Sequence, residues 1–158
     1  MRSLTALMAA AALVFGLSAG AAPAIAADSG PSGSSWETKA PELGKARAAI
    51  EKKDYKAAVP LLEAAVAKIP DSADAWNLMG YAHRKLGLTD KALKYYDRAL
   101  AIDPDHRGAL EYLGELYLET GKPEEAKKML ARLDKVCFFG CAEYTDLKNA
   151  LKAAKVIN

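Results

Sequence analysis

Histidine and cysteine are scarce in this chain, with two of each in 158 residues. No nucleophile elbow, phosphate-binding glycine loop or cluster of metal-ligating residues is present, so an enzyme has little support and no cofactor is indicated. Net charge is equally thin. Lys and Arg number 22 against 20 Asp and Glu, and no run of five like charges occurs. A chain so near neutrality has no long-range field to draw it to nucleic acid or anionic lipid.

Charge is missing altogether between Arg2 and Asp28. Leu4 to Leu17 is apolar apart from Thr5, and Ala24-Ile25-Ala26 places small residues where a signal peptidase reads. A short positive start, an apolar centre and a small-residue exit describe a secretory signal peptide over residues 1–26, cut after Ala26. The uncharged run is long enough to span a bilayer, but Gly16, Gly20 and Pro23 argue against a permanent membrane helix. No cysteine stands at the end of the signal region to carry a lipid, and Arg2 stands alone, so a twin-arginine signal is not indicated. Removal of the signal leaves 21 basic and 20 acidic side chains. The expected destination is the periplasm, with secretion as the alternative. Residues 27–38, rich in Gly and Ser, read as a disordered linker, and Trp36 at its end is expected to cover the open end of whatever follows.

The rest of the chain repeats every 34 residues. Pro70 and Pro104 are one period apart, as are Ala58, Ala92 and Ala126; Ala46, Gly80 and Gly114; Leu62, Tyr96 and Leu130; and Ala65, Ala99 and Leu133. Local signals agree with that period. Pro41 opens a first helix to Lys52, Asp54 caps a second over Tyr55 to Lys68, and Pro60 inside it should bend it mildly. Ser72 caps a helix ended by Gly87, Thr89 caps the next, Asp105 caps a helix closed by Gly121, and Pro123 opens one to about Val136.

The middle copy reads Trp76-x2-Met79-Gly80-x2-His83, then Ala92, Tyr96, Ala99 and Pro104. This resembles the tetratricopeptide repeat, a helix–turn–helix unit. The resemblance implies an all-α, right-handed solenoid of three units, 39–72, 73–106 and 107–140, closed by a capping helix within 141–158. Tyr144, Leu147, Leu151 and Ala154 supply the cap with an apolar stripe. Ala46, Gly80 and Gly114 are expected to let paired helices approach closely, with Trp76, Met79, Leu113, Tyr117, Leu62, Tyr96 and Leu130 filling the space around them. Glu42 and Lys45 occupy positions where the family has large apolar residues, so the first helix is weakly specified.

The resemblance also implies a protein-interaction module or assembly scaffold, in which first helices line a concave groove for a peptide or helix of a partner. Carried over by position, the groove stripe comprises Leu43, Arg47, Ile50 and Glu51; Asn77, Tyr81 and Arg84; and Glu111, Glu115, Leu118 and Glu119. Glu111, Glu115 and Glu119 stack on one helix face at i, i+4 and i+8, which needs Arg47, Arg84, Lys85 or a basic ligand opposite. The face is either solvated and neutralised by neighbouring repeats, or a binding groove with walls of opposite charge. The two-lysine clamp that family members use for C-terminal carboxylates is missing, because Leu43, Leu78, Gly108 and Tyr112 hold four of its five positions. Self-association through the first repeat is a further possibility.

Cys137 and Cys141 invite pairing in an oxidising compartment. On an unbroken helix their Cβ atoms would stand about 5–6 Å apart, beyond the roughly 3.5–4.5 Å a disulfide needs. A turn must intervene, and Gly140 permits one. Such a short loop gains only about 2 kcal/mol, so the expected role is to set the angle of the last helix. The alternative is a copper-handling or thiol-redox site, with Met129 or His106 as further ligands. His83 reads as a core histidine bonded to a neighbour.

Overall fold

The computed structural model describes residues 39–158, which form seven α-helices and, among the described residues, no strand. They are α1 (Pro41–Glu51), α2 (Tyr55–Lys68), α3 (Ala73–Lys85), α4 (Thr89–Ile102), α5 (Arg107–Glu119), α6 (Pro123–Val136) and α7 (Ala142–Ala153). The signal segment, the linker and Trp36 lie outside the described residues. No described helix is long and apolar enough to cross a membrane. Hairpins α1–α2, α3–α4 and α5–α6 pack internally, α2 meets α3, α4 meets α5, and α7 rests on α5 and α6. This is an all-α solenoid of three hairpins plus a closing helix.

The 34-residue period governs the turns as well as the packing. Lys53, Gly87, Gly121 and Lys155 all have left-handed backbone, with φ of 60°, 75°, 71° and 56°, and each is 34 residues from the next. The hydrogen bonds repeat with them. Asp54, Leu88, Lys122 and Val156 each donate a backbone N–H to the carbonyl five residues back, at 2.8–2.9 Å. Such a left-handed stop satisfies the last carbonyls of a helix and reverses the chain. Because Lys155 keeps the phase, α7 occupies the place of a first helix in a fourth unit, with Leu147 in register with Leu113.

Capping follows the sequence in two places and departs from it in two. Asp54 Oδ1 accepts from the Ala57 N–H at 3.1 Å, and Ser72 Oγ accepts from Ala75 at 3.2 Å. Thr89 does not cap α4. The left-handed Gly87 places the Leu88 carbonyl where it accepts from Ala92 at 3.0 Å, so the helix begins one residue early and Thr89 lies inside it. Asp105 does not cap α5 either. His106 does, its Nδ1 accepting from the Ala109 N–H at 3.0 Å. The same ring reaches Asp74 Oδ1 through Nε2 at 3.1 Å, which fixes Nε2 as the protonated nitrogen. Pro60 falls on an exposed face of α2, where the Lys56 carbonyl it frees can face water, and the helix runs through it.

The core is built from residues at the repeating positions. Ala46, Ala58, Leu62, Ala65, Ala92, Tyr96, Ala99, Ala126 and Leu133 are completely buried, and Met79 and Leu113 nearly so. Trp76, Tyr117 and Leu130 are only half-buried. Trp76 instead stacks on Tyr95, with ring centroids 5.9 Å apart, and donates its indole N–H to the Pro70 carbonyl at 2.8 Å. The partial exposure keeps its polar edge in reach of that acceptor. His83 is buried, bonded through Nδ1 to the Met79 carbonyl at 2.9 Å and packed on Tyr95. In α7, Leu147 and Leu151 are buried, whereas Ala154 lies past the helix end and is exposed. On the weak first helix Glu42 pairs with Lys68 at 2.6 Å, which holds its carboxyl below the ordinary range.

Gly80 and Gly114 meet different neighbours. A Cβ on Gly80 would stand 2.6 Å from the ring of Tyr96, whereas one on Gly114 would meet the flexible end of Leu147 at 2.5 Å. A rigid ring cannot give way, but an isopropyl end can turn. Gly80→Ala should therefore cost about 1–3 kcal/mol despite the better helix propensity of alanine, and Gly114→Ala clearly less. Urea unfolding of the two variants checks the order; equal midpoints would refute this account of the helix contacts.

Candidate functional site

The first helices α1, α3 and α5 bring the groove stripe onto one face, but its members differ in environment. Leu43 is completely buried and contributes to the core instead. Asn77 and Glu111, one period apart, are also buried, at 6% and 8% exposure. Arg47, Tyr81, Glu115 and Leu118 are half-buried, Arg84 has its side chain almost wholly covered, and Glu119 is open.

Arg84 ties the stripe together. Its Nη1 donates to Glu115 at 2.6 Å, while Nε and Nη2 engage both oxygens of Glu119 at 3.0 and 2.6 Å. The Arg84 side chain is 6% exposed, so these are bonds to a desolvated cation. Burial works against that charge, yet the bonds to Glu119 and Glu115 outweigh it and raise the arginine further above its ordinary value. The same bond draws the Glu119 carboxyl below its usual range. On the neighbouring edge Arg47 approaches Asp74 at 3.5 Å, and Asp74 is held low chiefly by its bond from His106.

Glu111 is the exception among the three stacked carboxylates. No described cation lies within ion-pair distance of it. Burial pushes its pKa up to about 8, reinforced by Glu115 on its own helix and by Asp146 and Glu143 on α7, with Arg84 opposing. The stripe therefore does not present three equivalent acids. Two carboxylates hold an arginine, and the third carries a proton through much of the neutral range.

An aromatic row crosses the same face. Tyr81 meets Tyr55 edge-on at 6.0 Å and Tyr112 at 4.9 Å, and the ammonium of Lys85 lies 5.2 Å over the Tyr81 ring. All three tyrosines are half-buried. Tyr55 and Tyr112 are additions to the sequence-derived stripe. The signal for Tyr112 was its offset from Tyr81 of 31 residues, which is also the offset of Glu115 from Arg84. Neighbouring first helices thus meet at the period less about one helical turn.

Cys137 and Cys141 form a disulfide, with their Cα atoms 5.5 Å apart. The turn between them carries Gly140 at φ 83°, and Cys141 begins α7, its Sγ accepting from the Tyr144 N–H at 3.4 Å. Phe138 and Phe139 project from the loop at 86% and 96% exposure.

Two family models described as tetratricopeptide repeat match residues 43–107 and 83–151. The chain belongs to the tetratricopeptide repeat family. It is 36% identical over 81 residues to the RNA polymerase-associated protein CTR9 of Caenorhabditis elegans, covering 51% of this chain and 7% of that protein. Across the curated relatives it matches, the chain spans between 5% and 41% of their length. Its fold is similar to that of the type III secretion chaperone SycD of Yersinia enterocolitica in complex with a YopD peptide (TM-score 0.66, 18% identity, covering 76% of this chain and 94% of that one). It is similar also to the first tetratricopeptide domain of Spaghetti (RPAP3) bound to an HSP90 peptide (TM-score 0.65, 18% identity, covering 75% and 95%).

Two outcomes follow for the tetratricopeptide array. The Glu111 carboxyl keeps its proton to about pH 8 when folded but to about 4.5 when unfolded, so stability falls as pH rises across that window, by up to about 1.4 kcal/mol per pH unit. Glu111→Gln should therefore show no gain at the acid end and a growing gain towards pH 8, read from urea midpoints; parallel curves would refute it. Separately, the intact mass of the purified chain should rise by two hydrogen atoms on reduction and fall back on reoxidation, whereas retained thiols carrying stoichiometric metal would restore the copper reading of Cys137 and Cys141.

Proposed function

We propose that this chain is an exported protein-interaction module or scaffold rather than an enzyme. It captures a peptide or helix of a partner on the face formed by its first helices. The observation that carries this is the row Tyr55, Tyr81 and Tyr112, partly open and flanked by Arg47, Asn77, Arg84, Glu111, Glu115 and Glu119. Half-exposed tyrosines supply large contact area at little entropic cost, and fixed charges beside them set register. The SycD and Spaghetti domains, each solved in complex with a peptide, support the reading through their shared fold. Export rests on the signal-like residues 1–26, and the periplasm is the proposed compartment, with secretion as the alternative. A disulfide between Cys137 and Cys141 agrees with an oxidising destination.

The disulfide leaves neither sulfur free for copper, whereas a thiol-redox factor would pass through the same bond in its oxidised form. Crosslinking in the envelope with the native chain, followed by mass spectrometry, identifies the partner. Replacing Tyr81 and Tyr112 together by serine should reduce its capture at least about tenfold with helical content retained. Capture unchanged by that pair would remove the groove from the function.

A further inference from the structure

Along the edge of the array where α3 and α5 begin, the α2–α3 and α4–α5 turns border a cavity of about 560 Å³. Ile69, Pro70, Ala73 and the stem of Lys68 give it an apolar wall, and Asp71, Asp103 and His106 give it a polar rim. Most of its charge is already matched. Lys68 pairs with Glu42, and Asp74 with Arg47 and His106. That leaves Lys39 against Asp71 and Asp103, too little of either sign to select an ion. Asp71 is exposed and has no hydrogen bond or ion pair with a described residue. Lys39, the first described residue, also lines the cavity, so the chain enters the array at its mouth.

We propose that this cavity is the docking site of Trp36 from the same chain, rather than of an outside ligand. Between Ala26 and Lys39, Trp36 is the one large apolar side chain. It stands three residues before Lys39, a stretch of about 4.5 Å if helical and at most about 11 Å if extended. The tether is fixed at its other end, because Ala40 is completely buried and its carbonyl accepts from Leu43 at 2.9 Å. The repeat points to the same place. Trp36 precedes Pro70 by one period and Lys39 precedes Ala73 by one period, so this segment stands before α1 as the cavity wall stands before α3. Successive helix starts already touch in this array, through Asp74 and His106. The indole face packs on Ile69 and Pro70, and its N–H donates to the carboxylate of Asp71 or Asp103 at the rim.

Docking would supply what α1 lacks. Its N-cap, Ala40, offers no side-chain hydrogen bond, and Glu42 and Lys45 leave the helix weakly specified. Trp36 in the cavity staples the start of α1 to the α2–α3 turn, and so ties the first unit to the second. A second copy could offer the same indole. Held by so short a tether, however, the chain's own Trp36 acts at an effective concentration in the millimolar range, well above that of another molecule in dilute solution.

The test is NMR on the purified, disulfide-intact chain, with the Trp36 indole signals assigned by their loss in Trp36→Ala. Nuclear Overhauser cross-peaks should join the indole ring to the Ile69 methyl and Pro70 ring protons. In a mixture of labelled and unlabelled chains, isotope filtering for contacts between molecules should remove them. Trp36→Ala should also speed amide exchange in α1 at least about fivefold while α5 keeps its protection and helical content is retained. Cross-peaks to other residues, or none, overturn the docking site. Cross-peaks that survive the filter assign the cavity to a second copy and overturn docking within one chain. Exchange in α1 unchanged by Trp36→Ala overturns the staple.

Discussion

The contact between the bare Cα of Gly80 and the ring of Tyr96 is the constraint on which the stack depends. It closes the middle hairpin at a distance no larger residue permits. It also joins two bodies of core. Buried residues from Ala40 to Ala82 form one cluster across α1, α2 and α3, and those from Ala92 to Leu151 form the other across α4 to α7. The boundary between them runs through the middle hairpin, between α3 and α4. Close helix packing at that point carries the rigidity of each half into the other, which a solenoid with only neighbour contacts needs.

Arg84 performs the corresponding task for the polar face. With 6% exposure it is effectively an interior cation, and its two glutamates on α5 fix how α3 and α5 lie across the groove. The Asp74–His106 pair does the same at the helix starts, where one imidazole both caps α5 and reaches back to α3. Much of the charge on the groove face is thus structural. What these pairs leave open on that face is the tyrosine row and the outer side of Glu119.

The repeat made most of the fold legible before any coordinates. Helix boundaries set by Pro41, Ser72, Gly87, Gly121 and Pro123 lie where the structure has them, within a residue. What the sequence hid was of two kinds. Caps at Leu88 and His106 depend on how a left-handed turn or a distant aspartate orients the neighbouring residue, and neither leaves a local signature. Contacts across the groove come at offsets of 31, 32 and 35 residues rather than 34, so aligning the copies places Tyr81 with Glu115 and conceals that it touches Tyr112. Position alone gives the stripe of eleven residues without distinguishing their environments. The structure separates it into an ion-paired Arg84, Glu115 and Glu119, and a buried Asn77 and Glu111 that position could not distinguish.

The four left-handed turns at Lys53, Gly87, Gly121 and Lys155 have a consequence for how such a gene can change. Each turn stands at the same phase, and the first three are each followed two residues later by a helix, at Tyr55, Thr89 and Pro123. Unequal crossing-over that copies or removes one whole period would rejoin matching turns, and every side chain downstream would keep its facing. A slip of a single codon inside a helix would rotate the following residues by about 100° about the axis and expose the alanines to water. Recombination is therefore tolerated in modules, and drift in length is not.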